Sequence, residues 1–209
     1  MKSNKTLILT TVLCLLPILL GLALYNQLPD MVPIHFDMKG TPDNYAPKAV
    51  AVFGLPFFMA AVNAVCHIGM QKDKRTIEAS PKVLIQLTGW IPAVLSLILM
   101  PITLFMAIGV EVPIVLIVSL LVGLVFVVIG NYLPKCKPNR YMGIKLPWTF
   151  ASEENWRKTH RFGGFVWVVA GILVILSAII NWPWVMLVAL FASILLPTFY
   201  SWNYARKEK

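Results

Sequence analysis

Residues 7–28 read LILTTVLCLLPILLGLALYNQL, a stretch of 22 residues that contains no charged side chain. A helix of about 20 apolar residues is long enough to cross the hydrocarbon core of a bilayer. The stretch lacks the small-residue cleavage site of a secretory signal, and it is longer than the apolar region of such a signal. It therefore predicts a retained membrane-spanning helix.

The composition of the whole chain agrees with this prediction. The 209 residues are 58% hydrophobic and 13% charged, whereas soluble domains are about 45–50% apolar and about 25% charged. A chain of this composition has too few polar side chains to cover a compact apolar core with a water-facing surface. The net charge of +9 could suggest nucleic acid, but the basic residues fall between apolar stretches, which indicates a membrane surface. We expect no direct nucleic-acid binding.

Five further spans are predicted from uncharged stretches. Span two covers 49–70, span three lies within 83–110, span four lies within 112–134, and spans five and six flank the turn NWPW at 181–184. Because backbone polar groups in hydrocarbon must be satisfied internally, we expect helices. The predicted fold is an all-α bundle of six transmembrane helices without β-strands.

The basic residues predict the orientation of these spans. Six crossings put both termini on one side of the membrane, and 16 of the 18 basic residues fall on that side. They are Lys2, Lys5, Lys72, Lys74, Arg75, Lys82, Lys135, Lys137, Arg140, Lys145, Arg157, Lys158, Arg161, Arg206, Lys207 and Lys209. Counting acidic residues, this side carries +11 and the other carries −2. The positive-inside rule then places both termini in the cytoplasm, with anionic membrane lipids as partners.

The spans and loops suggest two sequence segments. Residues 1–70 form a two-helix unit with an extracellular loop at 29–48, and residues 71–209 form a four-helix unit with a cytoplasmic loop at 134–162. In the second segment, Gly123 and Gly130, like Gly164 and Gly171, are seven residues apart. Each pair therefore shares a helix face that a neighbouring backbone can approach closely.

The inventory of reactive side chains is small. Asp, Glu, Lys and Arg are missing from the interiors of the six spans, which disfavours an ion-coupled pump. Walker, GxSxG and HExxH motifs are absent, so no catalytic residue and no cofactor is predicted. Cys14, Cys66 and Cys136 give neither a disulfide pair nor a metal signature. Asn63 and His67 share one face of span two, where helix packing is a better explanation than a functional site.

The loop after span one reads LPDMVPIHFDMKGTPDNYAPK at 28–48. Pro33 favours an extended approach and Gly40 a tight reversal. His35, Asp37 and Asp43, with Asp30, could hold a divalent ion, but loops of this composition use such side chains mainly for turns. No metal site is predicted.

The loop after span four ends in SEENWRKTHR at 152–161. Ser152 can cap a helix whose first turn is acidic and whose later turns are basic, which matches the helix dipole. This pattern predicts a short interfacial helix that leads into span five. We expect Trp156 to anchor that helix among the lipid headgroups.

The two loops together resemble the SdpI family of bacterial membrane proteins. The N-terminal motif is carried by Leu28, Pro29, Pro33, His35 and Gly40. The longer C-terminal signature, GNYLPKCKPNRYMGIKLPWTFASEENWRKTHRFGG at 130–164, is carried by Gly130, Asn131, Pro138, Asn139, Gly143, Ile144, Pro147, Trp148, Thr149, Trp156, Lys158, His160, Arg161 and Gly164. Lys145 stands where the family more often has arginine.

The resemblance implies an immunity protein of the bacterial plasma membrane with two linked activities. One is neutralising a secreted peptide toxin at the outer face, and the other is holding a cytoplasmic transcriptional repressor at the membrane. The outer-face residues would be Pro33, His35, Asp37, Gly40, Asp43 and Lys48. The cytoplasmic residues would be Asn131, Asn139, Gly143, Lys145, Pro147, Trp148, Thr149, Trp156, Lys158, His160 and Arg161.

Other interpretations remain open on the sequence alone. Proline-kinked helices with mild polar residues also suit a small transporter or flippase without ion-coupling residues. An intramembrane enzyme that uses His35, Asp37 and Asp43 is a third hypothesis. Any single Lys or Arg of the inner loop is as well explained by lipid anchoring as by repressor binding.

Overall fold

The computed structural model describes residues 2–207, without the side chains of Lys2, Ser3, Gln71 and Lys72. The inner-side charges predicted for Lys2, Lys72, Glu208 and Lys209 thus lie outside the described residues. The elements are α1 (Lys2–Leu15), α2 (Pro17–Leu24), β1 (Met31–Phe36), β2 (Pro42–Pro47), a π-helical turn (Val50–Gly54), α3 (Leu55–Lys72), α4 (Lys74–Ala79), α5 (Lys82–Ala107), α6 (Ile114–Tyr132), a 3₁₀ turn (Leu133–Lys135), α7 (Pro147–Ala151), α8 (Glu153–Ile179) and α9 (Pro183–Lys207).

Six helical segments are long and apolar enough to cross a membrane, which confirms the six predicted spans. They are Asn4–Leu24, Val50–Met70, Lys82–Ala107, Ile114–Lys135, Glu153–Ile179 and Pro183–Lys207. The chain is therefore a multi-pass membrane protein with a mostly helical fold. The side on which the termini lie stays a prediction.

The first span is shorter than its uncharged stretch. Its helix ends at Leu24 rather than Leu28, and Pro17, which has no backbone N–H, separates α1 from α2. Leu16 between them keeps helical angles of φ −54° and ψ −38°. Proline therefore interrupts the hydrogen-bond ladder here without ending the span.

The structure divides into two compact units. The first contains residues 1–72 and 85–114, and the second contains 73–84 and 115–209. One core of the first unit is formed by Leu28, Val32, Ala51, Val52 and Leu104. The predicted sequence boundary after residue 70 stays a prediction.

The expectation of no β-strands is wrong. β1 and β2 pair as an antiparallel hairpin, in which Met31 faces Pro47 and Val32 faces Ala46. Gly40 adopts φ +83° at the reversal, as the loop sequence predicts. Val32, Ile34 and Phe36 alternate with period two, but six residues are too few for this signal to stand out beside the spans.

A polar cluster connects α1, α3 and α5 within the first unit. The amide of Asn63 lies 3.0 Å from Thr10 Oγ1, and His67 Nε2 lies 3.3 Å from the same hydroxyl and 3.2 Å from the carbonyl oxygen of Gly89. All three side chains are buried. Interhelical hydrogen bonds of this kind stabilise packed membrane helices, which supports the packing interpretation of Asn63 and His67.

In the second unit, α6 and α8 approach closely at two glycine pairs. A Cβ atom added to Gly130 would lie 2.7 Å from the carbonyl oxygen of Gly164, and one added to Gly171 would lie 2.5 Å from that of Gly123. The predicted use of these glycines for backbone approach is confirmed. α8 and α9 are joined by a turn in which Asn181 has φ +53°, at the position predicted between spans five and six.

Candidate functional site

Trp156 forms the centre of the signature loop, which we define as residues 130–164. Its side chain is only 2% exposed, and its Nε1 donates a 2.8 Å hydrogen bond to the carbonyl oxygen of Cys136. The ring stacks on His160 one helical turn later, with centroids 4.0 Å apart. Trp156 thus attaches the start of α8 to the chain that leaves α6.

The prediction that Trp156 anchors a separate interfacial helix is wrong. Ser152 caps α8 as expected, accepting a hydrogen bond from the backbone of Asn155. However, this helix continues without interruption to Ile179 and is the fifth span itself. Trp156 lies on the face of α8 that packs against the loop, where its indole N–H donates to the carbonyl oxygen of Cys136.

His160 is fully buried and both of its ring nitrogens are bonded. Nδ1 lies 2.7 Å from the carbonyl oxygen of Trp156, and Nε2 lies 2.9 Å from the backbone nitrogen of Ile144. Since a carbonyl only accepts and a backbone N–H only donates, Nδ1 carries the proton and Nε2 accepts. A neutral imidazole held on both sides is a structural connector and has no free nitrogen for general-base chemistry.

Gly143 permits this arrangement. It adopts φ +116°, and a Cβ atom there would overlap His160 Nε2 and lie 2.8 Å from the Trp156 ring. Two other signature residues fix the neighbouring turns. Asn139 Oδ1 accepts from the backbone of Met142 at 2.7 Å, and Thr149 Oγ1 accepts from the backbone of Leu146 at 2.9 Å.

The remaining predicted residues of the loop are more exposed. Lys158 contacts Glu154 and the Tyr204 hydroxyl, each at 3.0 Å, and Lys145 Nζ donates to the carbonyl oxygen of Arg140 at 3.2 Å. Lys145 thus contacts the backbone of its own loop. Asn131, Pro147 and Arg161 are exposed, whereas Trp148 is half-buried.

Sequence reasoning missed Asn155, which is fully buried. Its Nδ2 donates to the carbonyl oxygen of Ser201 at 3.1 Å, and its Oδ1 accepts from Thr159 at 2.8 Å and from the Ser201 hydroxyl at 3.0 Å. These bonds join α8 to α9. The spacing of Asn155 and Thr159, four residues apart on one helix face, was the available signal.

Cys136 is buried next to this centre, and burial raises the pKa of its thiol to about 11. Because the thiolate is the nucleophile, we expect iodoacetamide to alkylate Cys136 slowly near pH 7.5 and faster as the pH is raised. Mass spectrometry of a Cys14→Ser/Cys66→Ser background would measure the rate. The same chain in denaturing detergent is the control, and equal rates in both would show that Cys136 is accessible.

The hairpin, residues 28–48, brings its predicted residues together in pairs. His35 Nδ1 lies 2.5 Å from Asp43 Oδ1 across the strands, and Lys48 lies 3.1 Å from Asp30. Asp37 accepts from the backbone nitrogens of Lys39 and Thr41, both at 2.8 Å, and these bonds, with that of Thr41 foremost, lower the pKa of its carboxyl. Asp37 therefore fixes the turn, as predicted from the loop composition.

Pro33 lies in β1 beside Val32, which is fully buried. The hairpin is therefore fixed to the helix ends of its unit and is not a free loop. Among residues 2–207, no group of three or more His, Cys, Asp or Glu side chains is arranged to hold a metal ion. The candidate site thus consists of two polar surfaces, the hairpin on the first unit and the signature loop on the second.

Two family models match parts of this chain. Residues 135–201 match the SdpI/YfhL protein family, and residues 12–60 match a domain of unknown function, DUF1648. The chain is 27% identical over 210 residues to a protein described as immunity protein SdpI of Bacillus subtilis (strain 168), covering 99% of this chain and 98% of that protein. No solved structure matches the chain.

Proposed function

We propose that this chain is a membrane immunity protein of the SdpI family that protects the cell from a secreted peptide toxin. The observation that carries this proposal is the similarity to an immunity protein over 99% of the chain. That similarity includes both the hairpin and the signature loop, so it is not limited to apolar spans.

We propose that the hairpin is the surface that meets the toxin. Met31 and Tyr45 are 50% and 48% exposed, and the His35–Asp43 pair lies on the same hairpin. Exposed apolar side chains beside ionic groups suit an amphipathic peptide. Because Val32 and Asp37 hold the hairpin in shape, toxin binding would need little reordering of this surface.

A protection assay tests this role. Cells without the gene should be killed by the cognate peptide, and the wild-type gene should restore survival. We expect Met31→Ser/Tyr45→Ser to lose at least about tenfold in protective effect, which corresponds to about 1.4 kcal/mol of lost binding. Val110→Ser, which alters another exposed apolar side chain predicted on the same side, should protect like wild type. Full protection by the hairpin variant would place the toxin contact elsewhere.

The proposal requires the hairpin to face the medium and the signature loop to face the cytoplasm, as the distribution of basic residues predicts. We expect Asn44→Cys to react with a membrane-impermeant maleimide in intact cells, and Arg140→Cys to react only after permeabilisation. Both positions are exposed, so accessibility alone does not distinguish them. The reverse pattern would invert the orientation and remove the proposed toxin contact.

We further propose that the signature loop recruits a cytoplasmic repressor when toxin is bound. The exposed Arg161 and the rigid Trp156–His160 centre support this role, since a fixed scaffold that carries exposed charges suits protein binding. A fluorescent repressor fusion should move to the membrane on toxin exposure, and Arg161→Gln should weaken this movement while protection is kept. Unchanged recruitment in this variant would exclude Arg161 from the contact.

A further inference from the structure

A groove of about 770 Å³ opens in the second unit beside Trp156. Its walls come from α4, from the chain that follows α6, and from the first turns of α8. The charged residues that line it are Arg75, Glu78, Lys135, Lys137, Glu153 and Arg157. Four cations and two carboxylates give the groove a net charge of +2.

The cations of the groove are only weakly neutralised by the protein. Among the described residues, no carboxylate lies within 4.0 Å of the side chains of Arg75, Lys135 or Lys137, and Arg157 meets Glu154 only at 3.8 Å. Lys135 lies over the Tyr132 ring, 4.5 Å from its centroid. Clustered cations that carboxylates do not closely neutralise repel one another, so an anion bound between them would be stabilised.

The position of the groove along the membrane-spanning helices indicates the source of this anion. Lys135 is the last residue of the fourth span and Glu153 is the first residue of the fifth. The groove therefore lies at the ends of two spans, where the hydrocarbon core gives way to lipid headgroups. Its remaining lining includes Pro134 and Pro138, which are apolar and suit the first acyl carbons of a lipid.

We propose that this groove binds the phosphate-bearing headgroup of one anionic phospholipid. Arg75, Lys137 and Arg157 surround the phosphate, and Lys135 contributes from the end of α6. Arginine is suited to this role because its planar guanidinium can donate two parallel hydrogen bonds to phosphate oxygens. The site differs from general attraction to a charged surface because it takes one headgroup at one place.

Native mass spectrometry of the full-length protein tests the proposal. Protein from nanodiscs of mixed phosphatidylglycerol and phosphatidylcholine should retain one phosphatidylglycerol on release. Arg75→Gln/Lys137→Gln should lower this retention at least about fivefold, whereas Glu78→Gln should raise it because the groove becomes more positive. The altered side chains are exposed, and thermal unfolding of each variant verifies that it folds.

The matched control is Lys74→Gln/Arg140→Gln, which also removes one lysine and one arginine. These exposed residues neighbour Arg75 and Lys137 in the sequence or the loop but do not line the groove, so wild-type retention is expected. Equal losses in both double variants, or equal retention of the two lipids, would overturn the site. Displacement of the lipid by millimolar glycerol phosphate would overturn its assignment to lipid in favour of a soluble phosphate compound.

Discussion

Replacing Gly143 by alanine is expected to destabilise the second unit by about 3 kcal/mol, since the positive φ costs about 1–2 kcal/mol and overpacking costs about 1–3 kcal/mol. The new Cβ would meet the rings of both His160 and Trp156. Neither ring can move aside, because His160 is bonded through both nitrogens and Trp156 is bonded to the Cys136 carbonyl. The clash is therefore relieved only by opening the loop.

Thermal unfolding in detergent measures this effect. A loss of about 3 kcal/mol should lower the midpoint by at least about 6 °C in a chain of this size. Gly109→Ala is the control, because Gly109 also has positive φ, +90°, but nothing lies within 4 Å of an added Cβ. It should cost only the backbone strain, about 1–2 kcal/mol. Equal midpoints for the two variants would mean that the contacts with His160 and Trp156 do not limit position 143.

Gly171→Ala is expected to have a similar effect, about 3 kcal/mol, at the upper end of what overpacking costs. The added Cβ would lie 2.5 Å from the carbonyl oxygen of Gly123 and 2.9 Å from Val127 Cγ2. A backbone oxygen cannot rotate out of the way, so α6 and α8 must separate. Alanine otherwise favours a helix over glycine by about 1 kcal/mol, so destabilisation would identify the interhelical contact as its cause.

Gly163→Ala in the same helix is the matched control. Its added Cβ would meet Ile144 Cδ1 at 2.6 Å, which is the far end of a flexible side chain. Rotation of that isoleucine should keep the cost below about 1.5 kcal/mol. Both variants can be unfolded with denaturing detergent while helicity is followed by circular dichroism. If Gly171→Ala were as stable as wild type, the glycine contact would contribute nothing to helix association.

The spans could be predicted from the sequence because their signal is simple. A charge-free stretch of about 20 residues has few interpretations, since the bilayer excludes unpaired charge. The glycine pairs of α6 and α8 were equally readable, because a spacing of seven keeps Gly123 and Gly130 on one face. Both predictions depend on local composition and need no knowledge of the neighbouring helix.

Residues whose environment depends on distant parts of the chain were predicted less well. Trp156 was expected among headgroups, because tryptophan is enriched at membrane interfaces and its sequence neighbours show no other partner for the indole N–H. Its actual partner, the Cys136 carbonyl, is 20 residues away. Asn155 depends likewise on Ser201, 46 residues away. The hairpin was missed for a different reason, since its alternation is short and contains prolines that weaken a strand prediction.

The groove is another feature that depends on contacts between distant parts of the chain. The sequence reveals that Arg75, Lys137 and Arg157 are basic and lie on one predicted side. Their convergence around a single opening follows from the packing of three separate segments. Positive charge could therefore be assigned to a face from the sequence, whereas a binding site could be assigned only from the structure.

The π-helical turn Val50–Gly54 sets the direction in which the hairpin points. Such a turn holds one residue more than an α-helical path would, and one residue corresponds to about 100° of rotation around a helix axis. Deleting one residue from this segment would rotate β2 around the axis of α3, relative to the face of that helix that carries Asn63. A different edge of the hairpin would then be exposed. Deleting one residue from the tip near Gly40 would not change the orientation of the hairpin relative to α3. The two segments should therefore tolerate changes in length very differently.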